Sequence, residues 1–336
     1  MKLDEAPVRA SILSAVDQQL VDGVLAGQRR SLAKAITLIE STRPDHQQRA
    51  QQLLTALLPK TGGAIRIGIS GVPGAGKSTF IEALGVWLIE QGKRLAVLAI
   101  DPSSTVSGGS ILGDKTRMEL LSQREEAFIR PSPSAGSLGG VAEKTREAML
   151  LCEAAGYDVI IVETVGVGQS ETTVAGMVDM FCLLQLPNAG DDLQAIKKGI
   201  VEIADMVVIN KADIDKQATA VVRAQWRNAL HMLRPASPNW APPVIALPAL
   251  HKEGIVDFWA EVEKYQAALK PTGEFTAKRQ HQALAWMWQL IESGLHQFFR
   301  QHPRVQENLP AFTRAVEEGH TTPAAAAYAL LDYLKH

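Results

Sequence analysis

Cysteine is nearly absent from this chain of 336 residues: only Cys152 and Cys182 occur, far apart and each inside an apolar run. They form no C-x-x-C pair and have no zinc-finger spacing, so a disulfide scaffold and a thiolate metal site are both excluded. As small hydrophobes they belong in a core. The eight histidines are scattered and supply no metal cluster. Neither sign of charge dominates: 34 basic against 36 acidic residues leave a formal net charge of -2. Such a balance does not point to nucleic acid or a membrane surface as the main partner. No apolar run is long enough to span a bilayer. The opening Met1-Lys2-Leu3-Asp4-Glu5-Ala6-Pro7 has no apolar signal core, so a cytoplasmic protein is expected. No internal repeat is visible, and Ala324 to Ala327 is a short alanine run within a helix. A hydrophobic fraction of 46% with 21% charged residues is that of a globular protein. The length suggests one large domain with appendages, or two domains.

What is present centres on Gly71-Val72-Pro73-Gly74-Ala75-Gly76-Lys77-Ser78-Thr79. It satisfies the phosphate-loop pattern G-x-x-x-x-G-K-[ST]. A β-rich run, Ile65 to Ser70, precedes it, and Thr79 to Ile89 follows with apolar residues at helical spacing. Strand, glycine loop and helix are the arrangement the chemistry requires. Glycines let backbone N–H groups turn toward phosphate oxygens, and the helix N-terminus adds its positive end. Lys77 is expected to reach the β- and γ-phosphates, and the Ser78 hydroxyl to ligate Mg²⁺.

Residues 8 to 58 read as two or three helices, with a break at Pro44. Pro59 to Gly63 reads as a linker. Buried strands are expected at Arg94–Ile100, Tyr157–Glu163, Asp179–Leu186, Met206–Asn210 and Val244–Leu247, and a helix over residues 139 to 155. Such continuous apolar strands fit a parallel sheet covered on both faces, whose ligands sit beyond the carboxyl ends of the strands. That rule brings Gly71, Asp101, Glu163 and Asn210-Lys211 to one edge. From Ile255 onward the pattern is helical: 255 to 269, Phe275 to Arg300, Pro310 to Glu318, and a last helix capped by Thr321 or Thr322 with Pro323 at its first position. A terminal helical arm of this kind packs either on a second subunit or on its own core.

Asn210-Lys211-Ala212-Asp213 follows a strand and matches N-K-x-D. A carboxylate at Asp213 can accept from both N1–H and the 2-amino group of guanine; adenine offers no such pair, so GTP is expected over ATP. Asp101 and Glu163 stand at strand ends facing the triphosphate, where Mg²⁺ is held, although Asp101 also suits a helix cap. Gly166 can offer its N–H to the γ-phosphate, in a segment whose order depends on that group. Three stretches, Ser107 to Arg117, Arg130 to Gly140 and Ala189 to Gly199, read as glycine-rich mobile segments near the same edge.

Phosphate loop, Asp101-Pro-Ser-Ser, Gly113-Asp-Lys-Thr-Arg, Leu138-Gly-Gly, Glu163-Thr-Val-Gly-Val-Gly-Gln-Ser-Glu, Gly190-Asp-Asp-Leu-Gln and Asn210-Lys-Ala-Asp occur in one order. In this the chain resembles the MeaB/ArgK family, G-protein chaperones of cobalamin-dependent acyl-CoA mutases such as methylmalonyl-CoA mutase. The resemblance covers roughly residues 25 to 330. It implies an α/β P-loop NTPase fold with a mostly parallel central sheet: an N-terminal helical extension (1–60), a GTPase domain (61–270) and a C-terminal dimerisation arm (271–336). It implies Mg²⁺ near Ser78, Asp101, Asp114 and Glu163, and a third switch over residues 188 to 199 that links GTP turnover to cofactor loading on the mutase. The guanine-contacting loop is usually Ser-Ala-Leu in the family and is Pro248-Ala249-Leu250 here; Asn188 replaces a more typical glycine. The chain itself carries no D-x-H-x-x-G cobalamin motif, so the mutase is expected as a separate polypeptide and no cobalamin is expected on this chain. The expected reaction is hydrolysis of GTP to GDP and phosphate, with Lys77 and Glu163 at the phosphates and Lys197 or Lys198 brought in by the partner. The alternative is a kinase acting on a transport or other protein, a label the family has carried. It needs an acceptor pocket with a base, which the sequence does not display.

Overall fold

The computed structural model describes residues 13–100, 118–132, 138–164, 169–187, 198–233, 236–248 and 252–335. The chain begins with a helical layer: α1 (Ala15–Leu25), α2 (Arg29–Glu40) and α3 (Pro44–Leu57). Each has one apolar stripe, and the stripes are buried: Val21 and Val24, then Leu32, Ile36 and Ile39, then Leu53 and Leu57. Ser14 caps α1 by accepting from the Asp17 N–H at 3.1 Å. Pro44 opens α3, where its missing N–H costs nothing. The buried Asp17 carboxylate accepts from Arg49 at 2.7 Å and so ties α1 to α3. Residues expected as a linker include a 3₁₀ turn, Leu58–Lys60.

Alternating strands and helices follow. They are β1 (Ile65–Gly71), α4 (Lys77–Glu90), β2 (Leu95–Ile100), the single turn α5 (Glu119–Ser122), β3 (Ala127–Ser132), α6 (Leu138–Ala154), β4 (Val159–Thr164), α7 (Gln169–Ala175), β5 (Met180–Gln185), α8 (Lys198–Ile203), β6 (Met206–Asn210), α9 (Lys216–His231), β7 (Val244–Leu247) and α10 (Lys252–Leu269). The strands form one sheet in the order β3-β2-β4-β1-β5-β6-β7, and every pairing is parallel. β1 lies at its centre, with Ile69 beside Glu163 of β4 and Gly71 beside Leu184 of β5.

The sheet buries both faces, as its unbroken apolar strands require. On one face Ile67 and Ile69 pack with Phe80 and Leu84 of α4 and Phe258 and Val262 of α10. The Phe80 and Phe258 rings meet edge to face at 4.9 Å, a geometry worth about 0.5–1.5 kcal/mol beyond area burial. On the other face Leu98, Ile160 and Val162 pack with α6 and, beyond it, the α1–α3 layer. Trp226 of α9, fully buried, anchors a third cluster with Leu183, Val207 and Val222.

The sheet edge corrects one expectation. Arg130, Pro131 and Ser132, which by sequence open a glycine-rich loop, instead form the end of β3. β3 is the outermost strand and pairs with β2 alone. An edge strand tolerates a proline, because one side of it needs no donor.

The chain divides into two compact units, one ending at Phe275 and the other comprising Thr276–His336. The second holds most of α11 (Glu274–Gln301), with α12 (Pro303–Glu317) and α13 (Pro323–Asp332). α12 starts at Pro303 and runs through Pro310, which sequence reading makes its first residue. Two prolines compete for the start, and Pro303 takes the position where the N–H is not needed. Thr322 caps α13, accepting from the Ala325 N–H at 3.2 Å. Among the described residues no helix is long and apolar enough to cross a membrane.

Candidate functional site

The candidate site begins where β1 stops. Gly71 ends the strand so close to β5 that a Cβ there would lie 2.4 Å from the Leu184 carbonyl oxygen. The chain then turns through Val72 to Ala75, and Gly76, at φ +83°, is the N-cap of α4. A side chain at Gly76 would be strained by that φ and would meet the Asn210 amide nitrogen at 2.8 Å. The loop therefore requires glycine at these two positions for steric reasons.

Lys77 is the first residue of α4 and is mostly buried. Its ammonium group donates to the Gly71 carbonyl at 2.7 Å and to that of Val72 at 3.3 Å. The amine is thus folded over the loop that a phosphate would occupy. Ser78, next on the helix, donates from its hydroxyl to Glu163 Oε1 at 3.2 Å. Glu163 sits one residue from the end of β4, with 8% of its surface exposed. A hydroxyl and a carboxylate, both hard oxygen donors, converge beside a phosphate loop, and that donor set fits Mg²⁺. Below them Thr164 donates to the Ser70 hydroxyl at 2.8 Å, holding the ends of β4 and β1 together.

The N-K-x-D segment leaves β6 on the other side of the loop. Asn210, fully buried, donates from Nδ2 to the Ala75 carbonyl at 2.7 Å. Lys211 takes φ +57° and donates from Nζ to the Gly74 carbonyl at 3.1 Å. Two side chains that sequence reading assigns to the base thus also strap the phosphate loop from outside. The turn is tight: Ala212 N–H donates to the Leu247 carbonyl, and Ile214 N–H to that of Lys211, each at 3.2 Å. Asp213 projects from this turn, exposed. Pro248 follows β7, half-buried.

The structure therefore brings Gly71 to Thr79, Glu163, Asn210, Lys211 and Asp213 to one sheet edge. Asp101, Asp114, Gly166, Asn188, Lys197, Ala249 and Leu250 lie outside the described residues, and Lys198 is described only as the start of α8. Among the described residues no group of three or more His, Cys, Asp or Glu could hold a metal ion; Glu163 is the only carboxylate of the expected Mg²⁺ set within them. Sequence reading misses the Thr164–Ser70 bond and the straps on the phosphate loop. Contacts between residues 135 and 137 positions apart leave no mark in a local pattern.

The model of the family described as Methylmalonyl Co-A mutase-associated GTPase MeaB matches residues 32–304. The GTPase ArgK of Escherichia coli (strain K12) is 54% identical over 262 residues, covering 78% of this chain and 79% of its own. The mouse (Mus musculus) protein named methylmalonic aciduria type A homolog, mitochondrial, is 49% identical, covering 96% of this chain and 81% of its own. The crystal structure of a protein named LAO/AO transport system kinase superposes with a TM-score of 0.77 at 39% identity, covering 97% of this chain and 99% of its own. With the P-loop fold, the phosphate loop and the N-K-x-D turn in place, these likenesses settle the family: the chain is a GTPase and belongs to the MeaB family.

Proposed function

We propose that this GTPase is a G-protein chaperone. It gates cofactor loading on, and protects, a cobalamin-dependent acyl-CoA mutase: methylmalonyl-CoA mutase or a close relative. The observation that carries the nucleotide part is the strapping of one phosphate loop by Asn210 and Lys211 from the base side, with the Ser78–Glu163 pair on the metal side. The mutase part is supported by the family's description and by the name of the mouse relative.

In this reading residues 71 to 79 cradle the phosphates, and Lys77 swings from the Gly71 carbonyl to the β- and γ-phosphates. Asp213 accepts two hydrogen bonds from guanine, and Ala249, between Pro248 and Leu250, offers its N–H to the guanine O6. Ser78 and Glu163, with Asp101 and Asp114, would hold Mg²⁺, which would supply positive charge beside the phosphates. Lys77 and the loop N–H groups stabilise the same charge while water attacks in line with the γ-phosphate. The Gly166 N–H senses the γ-phosphate, and the mutase brings Lys197 or Lys198 to the nucleotide. Cobalamin stays on the mutase. The protein works in the cytoplasm without nucleic acid or membrane, with residues 1–60 as a helical extension and 61–270 as the GTPase domain.

Residues 271–336 act as a homodimerisation arm. Leu284, Trp288, Ile291, Leu295 and Phe298 alternate by four and three residues along α11, and their exposures run from 41% to 61%. An exposed apolar stripe of this spacing supports a helix–helix interface. The kinase alternative has one specific support, the name of the relative with the solved structure.

Turnover of GTP and ATP by the purified chain, with and without a cobalamin-dependent mutase, tests the reading. GTP-selective turnover, slow alone and faster with the mutase, is expected. A rate indifferent to every mutase removes the chaperone part. Labelled phosphate appearing on an acceptor other than water restores the kinase.

A further inference from the structure

Thr219 lies in the first turn of α9, just after the base-recognition turn, and is 7% exposed. Asp215 caps this helix, its carboxylate accepting from the Ala218 N–H at 2.8 Å. The Thr219 hydroxyl lies 2.7 Å from the Asp215 carbonyl oxygen, the ordinary contact of a helical threonine with the residue four back. It also lies 3.3 Å from the carbonyl oxygen of Ala212, seven residues back. Helix geometry does not supply that second contact; the fold of the turn does.

Its consequence follows from the backbone. The Ala212 N–H is held by the Leu247 carbonyl of β7. Its C=O shares the single Thr219 O–H with the Asp215 carbonyl, as the longer branch of a bifurcated hydrogen bond. The peptide units on both sides of the Ala212 α-carbon are therefore fixed, and with them the two dihedrals that place Asp213. Asp213 is exposed, so burial does little to aim its carboxylate. The left-handed Lys211 on the other side of Ala212 sets the path into the turn, and the bond from Ile214 N–H back to the Lys211 carbonyl closes it.

We propose that Thr219 is a positioning residue for base recognition: by holding the Ala212 carbonyl, its hydroxyl aims the Asp213 carboxylate at the two donors of guanine. This rests on the reading that Asp213 recognises guanine. A bidentate pair is sensitive to aim, because both bonds must reach their distance and angle together.

The test compares GDP with IDP, whose base lacks the 2-amino group and offers Asp213 only one donor. Dissociation constants are measured by displacement of a fluorescent GDP analogue from wild type, Thr219→Val and Thr219→Ser. Valine keeps the volume and removes the hydroxyl; serine keeps the hydroxyl. The preference for GDP over IDP is expected to fall about two- to threefold in Thr219→Val, the low end for one hydrogen bond because the proton is shared, and to return in Thr219→Ser. Simple loss of stability does not move this ratio, because both nucleotides bind the same folded chain. Should Thr219→Val fail to fold by circular dichroism, Thr219→Ala is read in its place with the same expectation. A hydroxyl-free variant that folds and keeps the wild-type ratio overturns the proposal, as does a serine variant that fails to restore it. A wild-type protein with no preference for GDP over IDP instead sinks the reading of Asp213, and the role of Thr219 falls with it.

Discussion

The contact between Gly76 and Asn210 gives a prediction with two halves that must fit together. In Gly76→Ala the new side chain sits at φ +83°, a left-handed conformation costing an L-residue about 1–2 kcal/mol. Its Cβ also arrives 2.8 Å from the Asn210 amide nitrogen. That amide must retreat, which sacrifices its 2.7 Å bond to the Ala75 carbonyl, a further loss of about 1 kcal/mol. Asn210→Ala removes the same bond directly and leaves the buried Ala75 carbonyl without it, at about 1–3 kcal/mol. In the double variant the clash has no target and the bond can be lost only once. The double variant should therefore be about 1 kcal/mol more stable than the sum of the single effects predicts. Thermal unfolding of the nucleotide-free protein reads this as a Tm about 1–2 °C higher than additivity allows. Full additivity would mean that the amide does not lie against Gly76, and the strap between base turn and phosphate loop would fail with it.

Two further predictions concern the helical parts. In the first unit, the hydrogen bond from Arg49 holds the Asp17 carboxyl below its usual range. Because the folded value is the lower one, ionised Asp17 contributes stability that is complete above the ordinary aspartate pKa of about 3.9 and is lost as pH falls through the folded value. Asp17→Asn should cost about 1–2 kcal/mol at neutral pH, a figure reduced because Arg49 is partly in water. Its deficit should shrink in acid; a deficit unchanged down to pH 3 by urea unfolding would refute the assignment. In the second unit, Trp288→Glu together with Leu295→Glu places two charges on the exposed stripe of α11. A dimeric wild type should become a monomer by light scattering while keeping its helical content. A dimer that survives both changes moves the interface elsewhere.

Much of the fold is legible because its signals are local. The strands can be found because each is a continuous apolar run buried on both faces, as in Leu95–Ile100. Ala127–Ser132 escapes because a proline near its end reads as a loop, and only its place at the sheet edge permits it. The helix Lys216–His231 carries a readable cap at Asp215 and apolar Val222 and Trp226 four apart. It goes unassigned by sequence because only Thr219, Val222 and Trp226 are buried, which leaves a short apolar stripe.

The sequence by itself determined the kind of ligand. Glycine spacing, a lysine and a hydroxyl at a helix start are one local unit, and N-K-x-D is another; each carries its chemistry within a few residues. Only the tertiary structure decided how the two units meet. β5 lies between the strands that deliver them, yet Asn210 and Lys211 reach across it to the carbonyls of Ala75 and Gly74. Thr219 reaching back to Ala212 is of the same kind. A hydrogen bond depends on tenths of an ångström and on angle, and these are set by the register of parallel strands joined through long crossovers, which no local pattern records.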